Sequence, residues 1–481
     1  MSELLINLTI IAPELILASV AMALLMIGSF FQKNSINIII SLSFFTLIAL
    51  SISELFAYSG VQFAFNLFFI EDNLSRLSKF LIFFSASVSV LMASNWLRSY
   101  DKTAFEFPIL IMFSTLGMAL MVSANDLITL YLAIELQSLP LYVLATFNRN
   151  DVYSSESGVK YFILGALSSG LLLYGSSLIY GFSGTTIFTE ISQSTYNSNE
   201  LGLIIGLVFL ISGVIFKISV VPFHMWVPDV YEGVATPVTA FFASVPKMAA
   251  IVMLLRLLYV PFDSYILSWS QIIIFVSLCS IALGSIVAIW QTNIKRLIAY
   301  SSIAHMGFAI LALSTGKSGD VSSILIYMII YVVSNIGFFA CLINIQNKSD
   351  RSVENITDLS GLSVKNPTLA ISIAVYMFSF AGIPPLAGFF AKYFIFMEII
   401  EEGLISLAVF GLIASVIGAF YYIRFVKVMF FDNSEESIKY SFSGSLRLIN
   451  LVCVIFIIAF IAIISITPLV EIVTDASLAL N

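Results

Sequence analysis

The chain has 481 residues, of which 60% are hydrophobic and only 10% are charged, and its mean hydropathy is +1.04. So few polar residues cannot cover the surface of a soluble globule of this length, which excludes that class and indicates an integral membrane protein. The net charge of −7 says little about partners, because most charged residues fall in the short segments between apolar runs.

Apolar runs of about twenty residues predict roughly fourteen membrane-spanning helices. The predicted starts are near Thr9, Ser35, Leu74, Ala104, Asp126, Ser157, Leu201, Pro237, Ile266, Asn293, Val321, Pro367, Leu404 and Leu446. The first run has neither the basic flank nor the cleavage site of a secretory signal, so we expect it to be retained as a span. The predicted fold class is an all-α polytopic membrane protein, with 1–481 as a single membrane domain.

Lysines and arginines between the spans predict the orientation. Alternate connections on one side contain Lys33, Arg98, Lys102, Arg149, Lys295, Arg296, Lys348, Arg351, Lys365, Arg424, Lys427, Lys439 and Arg447. The opposite side contains Arg76, Lys79, Arg256 and Lys317. By the positive-inside rule the richer side is cytoplasmic, which places both termini on the outer side of the membrane.

Four lysines fall within predicted spans, namely Lys160, Lys217, Lys247 and Lys392. A lysine in the bilayer is costly and either marks a functional pathway or extends to the headgroups. Burial favours the neutral amine, so a buried lysine can take up and release a proton, whereas arginine stays charged. We interpret these lysines as candidate proton carriers. For Lys160, about one turn from the membrane edge, extension to the headgroups is an equal alternative.

The first three helices carry little chemistry beyond Glu14, which either lies at the membrane interface or faces neighbouring helices. Glu135 lies about 14 Å into the fifth helix, near the bilayer centre, where an acid needs a partner or a proton. The alternative for Glu135 is a neutral acid hydrogen-bonded to a neighbouring helix.

In the seventh span, Pro222 predicts a break just after Lys217, because proline lacks an amide hydrogen and clashes with the preceding turn. Carbonyl groups released there, with some water, would let a lysine change its protonation inside the membrane. His224 would line the cytoplasmic mouth of this break with Asp229. The alternatives are an interfacial histidine, and loop-capping roles for Asp229 and Glu232.

The eighth and tenth spans contain further candidates at mid-depth. Lys247 directly follows Pro246, which predicts a second break beside a buried lysine. Lys295 and Arg296 would anchor the cytoplasmic end of the tenth span, whereas His305 lies about 15 Å deeper and could relay protons. A core histidine bonded to a carbonyl is the competing interpretation of His305.

The apolar run 367–400 is too long for one straight span, since about 34 residues would rise about 51 Å against a core of about 30 Å. Pro384 and Pro385, between Gly382 and Gly388, predict an interruption, and Lys392 follows it.

Lys217 precedes its predicted interruption at Pro222, whereas Lys392 follows its predicted interruption. This reversed order is what inverted-topology repeats produce. We predict a first repeat at about 104–260 and a second at about 266–430. Three helices at about 1–100 precede them, and a C-terminal helix at about 446–470 follows.

No motif for a cofactor or metal ion is present. Gly316-Lys317-Ser318 mimics the end of a phosphate loop, but Leu311 stands where its first glycine should be. The three cysteines are isolated in apolar runs, where we expect packing roles, and two histidines supply no paired spacing for haem or metal. Any redox chemistry is therefore expected in other subunits.

Several stretches together resemble a known family. They are APEL, YLAIELQSLPLYVL, PFHMWVPDVYEGVATPVTAFFASVPKMA, NIKRLIAYSSIAHMG and FSFAGIPPLAGFFAK, in this order. This pattern resembles subunit N in the antiporter-like membrane subunit family of bacterial NADH:quinone oxidoreductase, respiratory complex I. The likeness covers nearly the whole chain. Ala235 stands where subunit N often has proline.

The resemblance implies fourteen helices with two inverted five-helix repeats in a membrane arm. It implies proton-translocating roles for Glu135, Lys217, Lys247 and Lys392, and matches Lys295 and His305 to polar central positions. No cofactor is implied in this chain, with NADH, FMN, iron–sulfur clusters and quinone bound elsewhere in the complex. A bacterial inner-membrane location is implied, with neighbouring antiporter-like and small membrane subunits as partners and no nucleic acid.

The mechanistic hypothesis is that an ion pair with Glu135 tunes Lys217. Weakening this pair would drive the Lys217 proton through Lys247 and His305 toward Lys392. Two alternatives are a subunit of a multi-subunit sodium/proton antiporter and a structural membrane subunit whose lysines pair with acids for assembly.

Overall fold

A computed structural model describes residues 2–31, 35–57, 60–100, 104–194, 200–317, 321–346, 353–433, 439–440 and 443–480. Most of these residues lie in helices, as expected where hydrocarbon forces every backbone polar group to be paired within its own segment. The strands form two small antiparallel sheets, β1 (Gln62–Ala64) with β2 (Phe69–Glu71) and β3 (Ile345–Gln346) with β4 (Lys439–Tyr440).

The helices follow the apolar runs in chain order. They are α1 (Ser2–Ile10), α2 (Ala12–Phe31), α3 (Ile36–Leu55), α4 (Asn73–Tyr100), α5 (Glu106–Val122), α6 (Leu127–Ala145), α7 (Val152–Ser183), α8 (Phe188–Ser194), α9 (Glu200–Ile218), α10 (Trp226–Gly233), α11 (Thr236–Tyr259), α12 (Ile266–Val287), α13 (Ile294–Leu311), α14 (Val321–Ile343), α15 (Leu362–Lys365), α16 (Pro367–Ala381), α17 (Ala387–Glu401), α18 (Ile405–Phe431), α19 (Gly444–Ile458), α20 (Phe460–Ile466) and α21 (Leu469–Leu478).

Helices occupy all fourteen predicted span positions. Within the described residues, 11 helices are long and apolar enough to cross a membrane, and the pair α19 and α20, bent by 76°, makes a twelfth candidate. The shorter apolar helices α5 and α16 occupy the other two positions. The predicted all-α membrane fold is confirmed.

Two of the three predicted helix interruptions are present. α9 ends before a turn at 219–225 that contains Pro222, and α16 ends before a turn at 382–386 that contains Pro384 and Pro385. Each interruption begins with a left-handed residue, Ser219 (φ 74°) or Gly382 (φ 85°), a conformation that ends a helix. The described residues of each half of the chain therefore include one of the predicted broken helices.

The break predicted at Pro246 is wrong, because α11 runs through this residue without interruption. A proline removes the amide that would bond the carbonyl four residues earlier, here that of Phe242. The Tyr231 hydroxyl donates to this carbonyl over 3.2 Å. A side-chain donor thus replaces the missing amide and the helix continues.

The chain divides into two compact units. Unit 1 comprises Met1–Ile218, Val245–Ile272 and Ile472–Asn481. Unit 2 comprises Ser219–Ser244 and Ile273–Glu471.

Glycines set the packing of α7 against α9 in unit 1. A Cβ atom built on Gly175 would lie 2.6 Å from the Leu210 amide nitrogen, and one on Gly213 would lie 2.6 Å from the Leu172 Cβ. Only glycine permits such close approach of two helices, which is a common packing pattern in membranes. This contact fixes the end of α9, where Lys217 lies.

Three basic residues that the sequence placed in loops or at helix ends are buried in unit 1. The exposed fractions of Lys79, Arg76 and Arg256 are 0%, 6% and 2%. The Arg256 guanidinium makes two hydrogen bonds of 2.9 Å to Asp72 and a third, of 3.2 Å, to the Val122 carbonyl. All three lie near helix ends, as predicted, but the sequence pattern did not indicate their burial.

The predicted orientation depends partly on residues that the structure does not describe. Lys33, Lys102, Lys348 and Arg351 lie outside the described residues, as does Ser318 of the glycine–lysine–serine segment.

Asp72 directly precedes the membrane-spanning α4. Burial acts to raise the pKa of this carboxyl, but the Arg256 guanidinium outweighs it and holds the pKa below its usual value. The pair therefore stabilises the fold above the ordinary carboxyl range, and this stabilisation is lost as the pH falls through the lowered pKa.

We expect Asp72→Asn to destabilise the fold by about 3–5 kcal/mol, because it leaves a buried guanidinium without an anion. The midpoint of thermal unfolding in detergent measures this loss. Glu156→Gln is the control, since it breaks an exposed pair with Lys160, worth less than about 1 kcal/mol. The double variant Asp72→Asn/Arg256→Gln should lose less than the sum of its single variants. Equal losses for Asp72→Asn and Glu156→Gln would contradict the assignment.

Candidate functional site

Lys217 lies in the last turn of α9, one residue before the helix ends. Its side chain is buried, with the residue 6% exposed, and its ammonium donates to the Ser138 hydroxyl over 2.7 Å. The ammonium also lies over the ring of Tyr142, 5.9 Å from the centroid. The partial negative charge of the helix C-terminus favours a cation at this place.

Glu135 and Ser138 are three residues apart on α6 and therefore lie on neighbouring positions of one face. The Glu135 carboxylate interacts electrostatically with Lys217, but the hydrogen bond of the ammonium goes to Ser138. Among the described residues, the buried Oε1 of Glu135 has no hydrogen-bond partner. The structure therefore brings Glu135 within electrostatic range of Lys217, while the hydrogen bond of the ammonium goes to the Ser138 hydroxyl.

Glu135 also borders a face of α6 that is open in this chain. Leu132 and Leu139, three and four residues away, are 60% and 54% exposed. The carboxylate thus lies between the buried ammonium and the outer surface of the subunit.

The other two candidate lysines in unit 1, Lys247 and Lys160, have contrasting environments. Lys247 lies in the middle of α11 and is 1% exposed. Lys160 on α7 lies 2.7 Å from Glu156, one turn away, and its side chain is 42% exposed. Lys247 thus meets the expectation of a deep lysine, whereas Lys160 belongs to a surface pair.

His224 lies in the turn between α9 and α10 and is partly buried. Its Nδ1 atom has no hydrogen-bond partner among the described residues. The structure shows no contact of His224 with the other candidates within the described part of unit 2. The turn itself is held by the Val221 amide, which donates to the Ser280 hydroxyl over 2.9 Å.

The neighbours Lys295 and Arg296, at the start of α13, were both predicted to be cytoplasmic anchors. Lys295 is instead buried. Its ammonium donates over 2.7 Å to the carbonyl of Val234, the capping residue that directly follows α10. Arg296 donates to Asp229 over 2.9 Å and to Glu232 over 2.7 Å. These contacts join α13 to α10 and give the two acids ion-pair partners.

The break between α16 and α17 provides the acceptors for Lys392. The last four carbonyls of a helix lack intrahelical partners. The carbonyls of Phe378 and Ser379 accept from the backbone amides of the turn. The next two, of Phe380 and Ala381, stand four residues before Pro384 and Pro385, which have no amide hydrogen to give.

The Lys392 ammonium takes the place of the two missing amides. It donates to the Phe380 and Ala381 carbonyls over 3.1 Å each and to the Ser415 hydroxyl over 2.8 Å. The residue is 8% exposed. All three acceptors are uncharged, so the lysine is held by dipoles at the negative end of α16.

His305 on α13 lies among three tyrosines. Its Nδ1 is hydrogen-bonded to the Tyr327 hydroxyl at 2.6 Å, and its Nε2 to the Tyr422 hydroxyl at 3.1 Å. Tyr422 also bonds Ser301 at 2.5 Å. A neutral imidazole donates at one nitrogen and accepts at the other, so this arrangement can pass a proton between hydroxyl groups.

A small cavity lies between His305 and Lys392 in unit 2. Its volume is about 10 Å³, and its lining includes Ser285, Ser415 and Tyr422. This is close to the space that one water molecule needs, and the polar lining offers it hydrogen bonds. The structure thus brings His305 and Lys392 to one water-sized space.

Four residues of these sites were missed in the sequence, namely Ser138, Ser415, Tyr327 and Tyr422. The signal that could have found them is a hydroxyl group in the middle of an apolar span. A tyrosine hydroxyl buried there usually needs a hydrogen-bond partner. Serine and tyrosine are too frequent in this chain for that signal to single them out. Within the described residues, no group of three histidine, cysteine, aspartate or glutamate side chains could hold a metal ion.

Comparison with known proteins gives consistent matches. The model of the family described as NADH:quinone oxidoreductase/Mrp antiporter, TM, matches residues 124–418. NADH-quinone oxidoreductase subunit N of Rhodospirillum rubrum is 47% identical over 444 residues, which are 92% of this chain and 91% of that protein.

Two solved structures have similar chains. A chain of respiratory complex I from Thermus thermophilus has a TM-score of 0.81 and 31% identity, and the match covers 95% of this chain and 98% of that one. A chain of the Mrp complex from a Dietzia species has a TM-score of 0.82 at 17% identity, covering 98% and 97%. The second likeness concerns the fold alone.

We expect Gly388→Ala to destabilise the break that positions Lys392, by about 1–3 kcal/mol. A Cβ atom on Gly388 would lie 1.8 Å from the Ser379 carbonyl oxygen, so α17 would have to move away from α16. Gly170→Ala on α7 is the matched control, since its Cβ would meet nothing within 4 Å and alanine favours a helix by up to about 1 kcal/mol. Thermal unfolding midpoints should shift in opposite directions. Equal shifts would show that the close contact is not maintained.

Proposed function

The chain belongs to the subunit N family of the NADH-quinone oxidoreductases, and from this membership we propose that it moves protons across the membrane. It is a membrane subunit of this enzyme complex and a multi-pass protein of the bacterial inner membrane. We propose that Glu135, Lys217, Lys247, Lys295, His305 and Lys392 form the proton relay. NADH oxidation and quinone reduction would occur in other subunits.

The observation that carries this proposal is the way Lys392 is held. Three uncharged acceptors surround its ammonium, in a place that is 8% exposed. Because no carboxylate is among its hydrogen-bond partners in the described part of the chain, the side chain can lose a proton to become a neutral amine and keep two donors for the two carbonyls. A buried lysine held in this way is suited to carry protons.

Buried cations held by carboxylates make an instructive contrast. Lys79 contacts two glutamates, and Arg256 makes two hydrogen bonds to Asp72. Deprotonating a cation in such a pair would leave a buried anion without a counter-charge, at a large free-energy cost. We therefore assign structural roles to these pairs, and proton transfer to the residues of the proposed relay.

In unit 1, the Glu135 carboxylate would control the Lys217 proton. Its Oε1 has no hydrogen-bond partner among the described residues, and it interacts electrostatically with the ammonium. A small displacement of this carboxylate changes the free energy of the charged lysine, and about 1.36 kcal/mol corresponds to a tenfold change in proton affinity. A coupling signal that moves α6 would thus act on Lys217.

In unit 2, His305 and Lys392 would exchange a proton through the cavity between them. The cavity has room for about one water molecule. Tyr422 bonds His305 and lines the same space. A proton could pass from the histidine to the water and then to the amine. His224, which the structure does not join to this cluster, would serve only at the end of the route.

The surroundings of the subunit follow from the same proposal. We propose that it packs against antiporter-like and small membrane subunits of the membrane arm, with both termini on the periplasmic side. NADH, FMN, iron–sulfur clusters and quinone would be bound by other subunits of the complex.

We expect Lys217→Ala and Glu135→Ala each to abolish proton translocation by the assembled complex in proteoliposomes. Electron transfer from NADH to an artificial acceptor should be unchanged, because this chain carries none of that chemistry in the proposal. The control is Lys160→Ala, which removes a lysine from the adjacent α7 surface and should leave translocation intact. Normal proton movement in either site variant would disprove the assignment.

Lys392→Arg should also abolish translocation, although it keeps the positive charge and the hydrogen-bond donors. Arginine stays protonated in proteins and cannot release its proton. This variant therefore distinguishes a proton-carrying role of Lys392 from a structural one. If Lys392 were only a structural anchor, the complex with Lys392→Arg would translocate protons normally. That result would contradict the proposal. Lys160→Arg is the matched control, and subunit content by native mass spectrometry confirms assembly. Repeating the assay without sodium distinguishes proton from sodium transport.

A further inference from the structure

We propose that Glu14, Glu54 and Glu71, arranged around Lys79, form a second proton-binding site in unit 1, separate from the relay. The site joins the start of α2, the end of α3, strand β2 and the second turn of α4. Nothing in the proposed transport route uses these residues.

The Lys79 ammonium lies at the centre of the cluster. It is 2.6 Å from Glu14 and 2.5 Å from Glu71, and its side chain is fully buried. Glu54, only 5% exposed, interacts electrostatically with Glu14, Glu71, Lys79 and Arg76. Three carboxyl groups therefore share one low-dielectric space with one ammonium and one guanidinium.

The charges in this space do not balance when every group is ionised. Three acids against Lys79 and Arg76 leave one negative charge in excess. Arg76 lies 3.7 Å from Glu71, and its guanidinium also donates to the Gly60 carbonyl over 2.9 Å. The neighbouring Asp72 and Arg256 neutralise each other and leave this excess unchanged. A buried charge without a partner is costly, so one proton must neutralise the excess.

Glu54 is the acid that holds this proton. Glu14 and Glu71 each lie within 2.6 Å of the ammonium, which favours their ionised forms, whereas the buried Oε1 of Glu54 has neither a hydrogen bond nor an ion pair with a described residue. Glu54 is also the next-to-last residue of α3, where the partial negative charge of the helix end disfavours a carboxylate. Glu14 lies in the first turn of α2, where the helix end favours one.

A proton fits this site better than a metal ion. The Lys79 ammonium already occupies the position between Glu14 and Glu71 that a cation would take. Within the described residues, no acidic group of three has the geometry to hold a metal.

The proposed proton site lies near an open helix end. Glu54 is buried, but the next residues, Leu55 and Phe56, are 57% and 84% exposed. The buried carboxyl therefore lies within one residue of the open end of α3. The cluster is a proton store at the membrane end where α2 starts and α3 ends, and its proton belongs to the coupled group of acids.

The test is infrared spectroscopy of the assembled complex in liposomes, in H₂O and in D₂O. A protonated carboxyl has a carbonyl band that shifts in D₂O, and the wild-type minus Glu54→Gln difference spectrum should show the loss of one such band. The amide of glutamine has nearly the shape of a protonated acid and carries no charge, so this variant should fold. Glu54→Asp, which keeps a carboxyl group, should retain a shifted band.

Two controls make the outcome specific. Glu156→Gln removes an exposed carboxylate on α7 and should leave the band unchanged. Lys79→Met removes the central ammonium and should increase the protonated-carboxyl signal, because the cluster then has a larger excess of negative charge. An unchanged spectrum in Glu54→Gln would overturn the proposal. So would loss of the wild-type band on adding sodium, which would identify a sodium site instead.

Discussion

An ionisable side chain inside hydrocarbon must have its charge compensated, and this chain does so in two distinct ways. Arg256 and Lys79 are held by carboxylates, which fixes their charge and ties distant segments of unit 1 together. Lys217, Lys295 and Lys392 donate to hydroxyl or carbonyl groups instead. Dipoles stabilise an ammonium less firmly than an anion does, which leaves its protonation state adjustable. The first arrangement serves the fold and the second serves the proposed transport.

Helix ends supply the dipoles for the second arrangement. Lys217 lies in the last turn of α9, Lys295 bonds the residue that caps α10, and Lys392 bonds the last carbonyls of α16. A membrane protein normally avoids exposing such carbonyls, because nothing in the hydrocarbon can bond them. Interrupting a span therefore creates both a need for donors and a place for a cation. The broken helices leave carbonyl groups that need donors, and the buried lysines supply these donors.

Much of this arrangement was predictable from the residues. Lysines in apolar runs beside prolines predicted both broken helices. The apolar run 367–400, which contains Lys392, is also too long to be one uninterrupted span. Pro246 has the same local pattern but gives a continuous helix, because Tyr231 supplies a donor that local sequence does not reveal. The charge cluster around Lys79 was missed for a similar reason. Its acids lie on three other elements, and only the folded chain brings them together.

The environment of Lys392 is made largely by the main chain. Two of its three acceptors are carbonyls, which every residue type possesses. Systematic truncation of the α16 side chains would thus leave most of this environment in place and underestimate its importance. Inserting or deleting a residue in the turn 382–386 would shift those carbonyl oxygen atoms. Such a change would reveal how much Lys392 depends on the main chain. Natural variation in residue identity can accordingly be wide along this helix, while its length up to the two prolines is constrained.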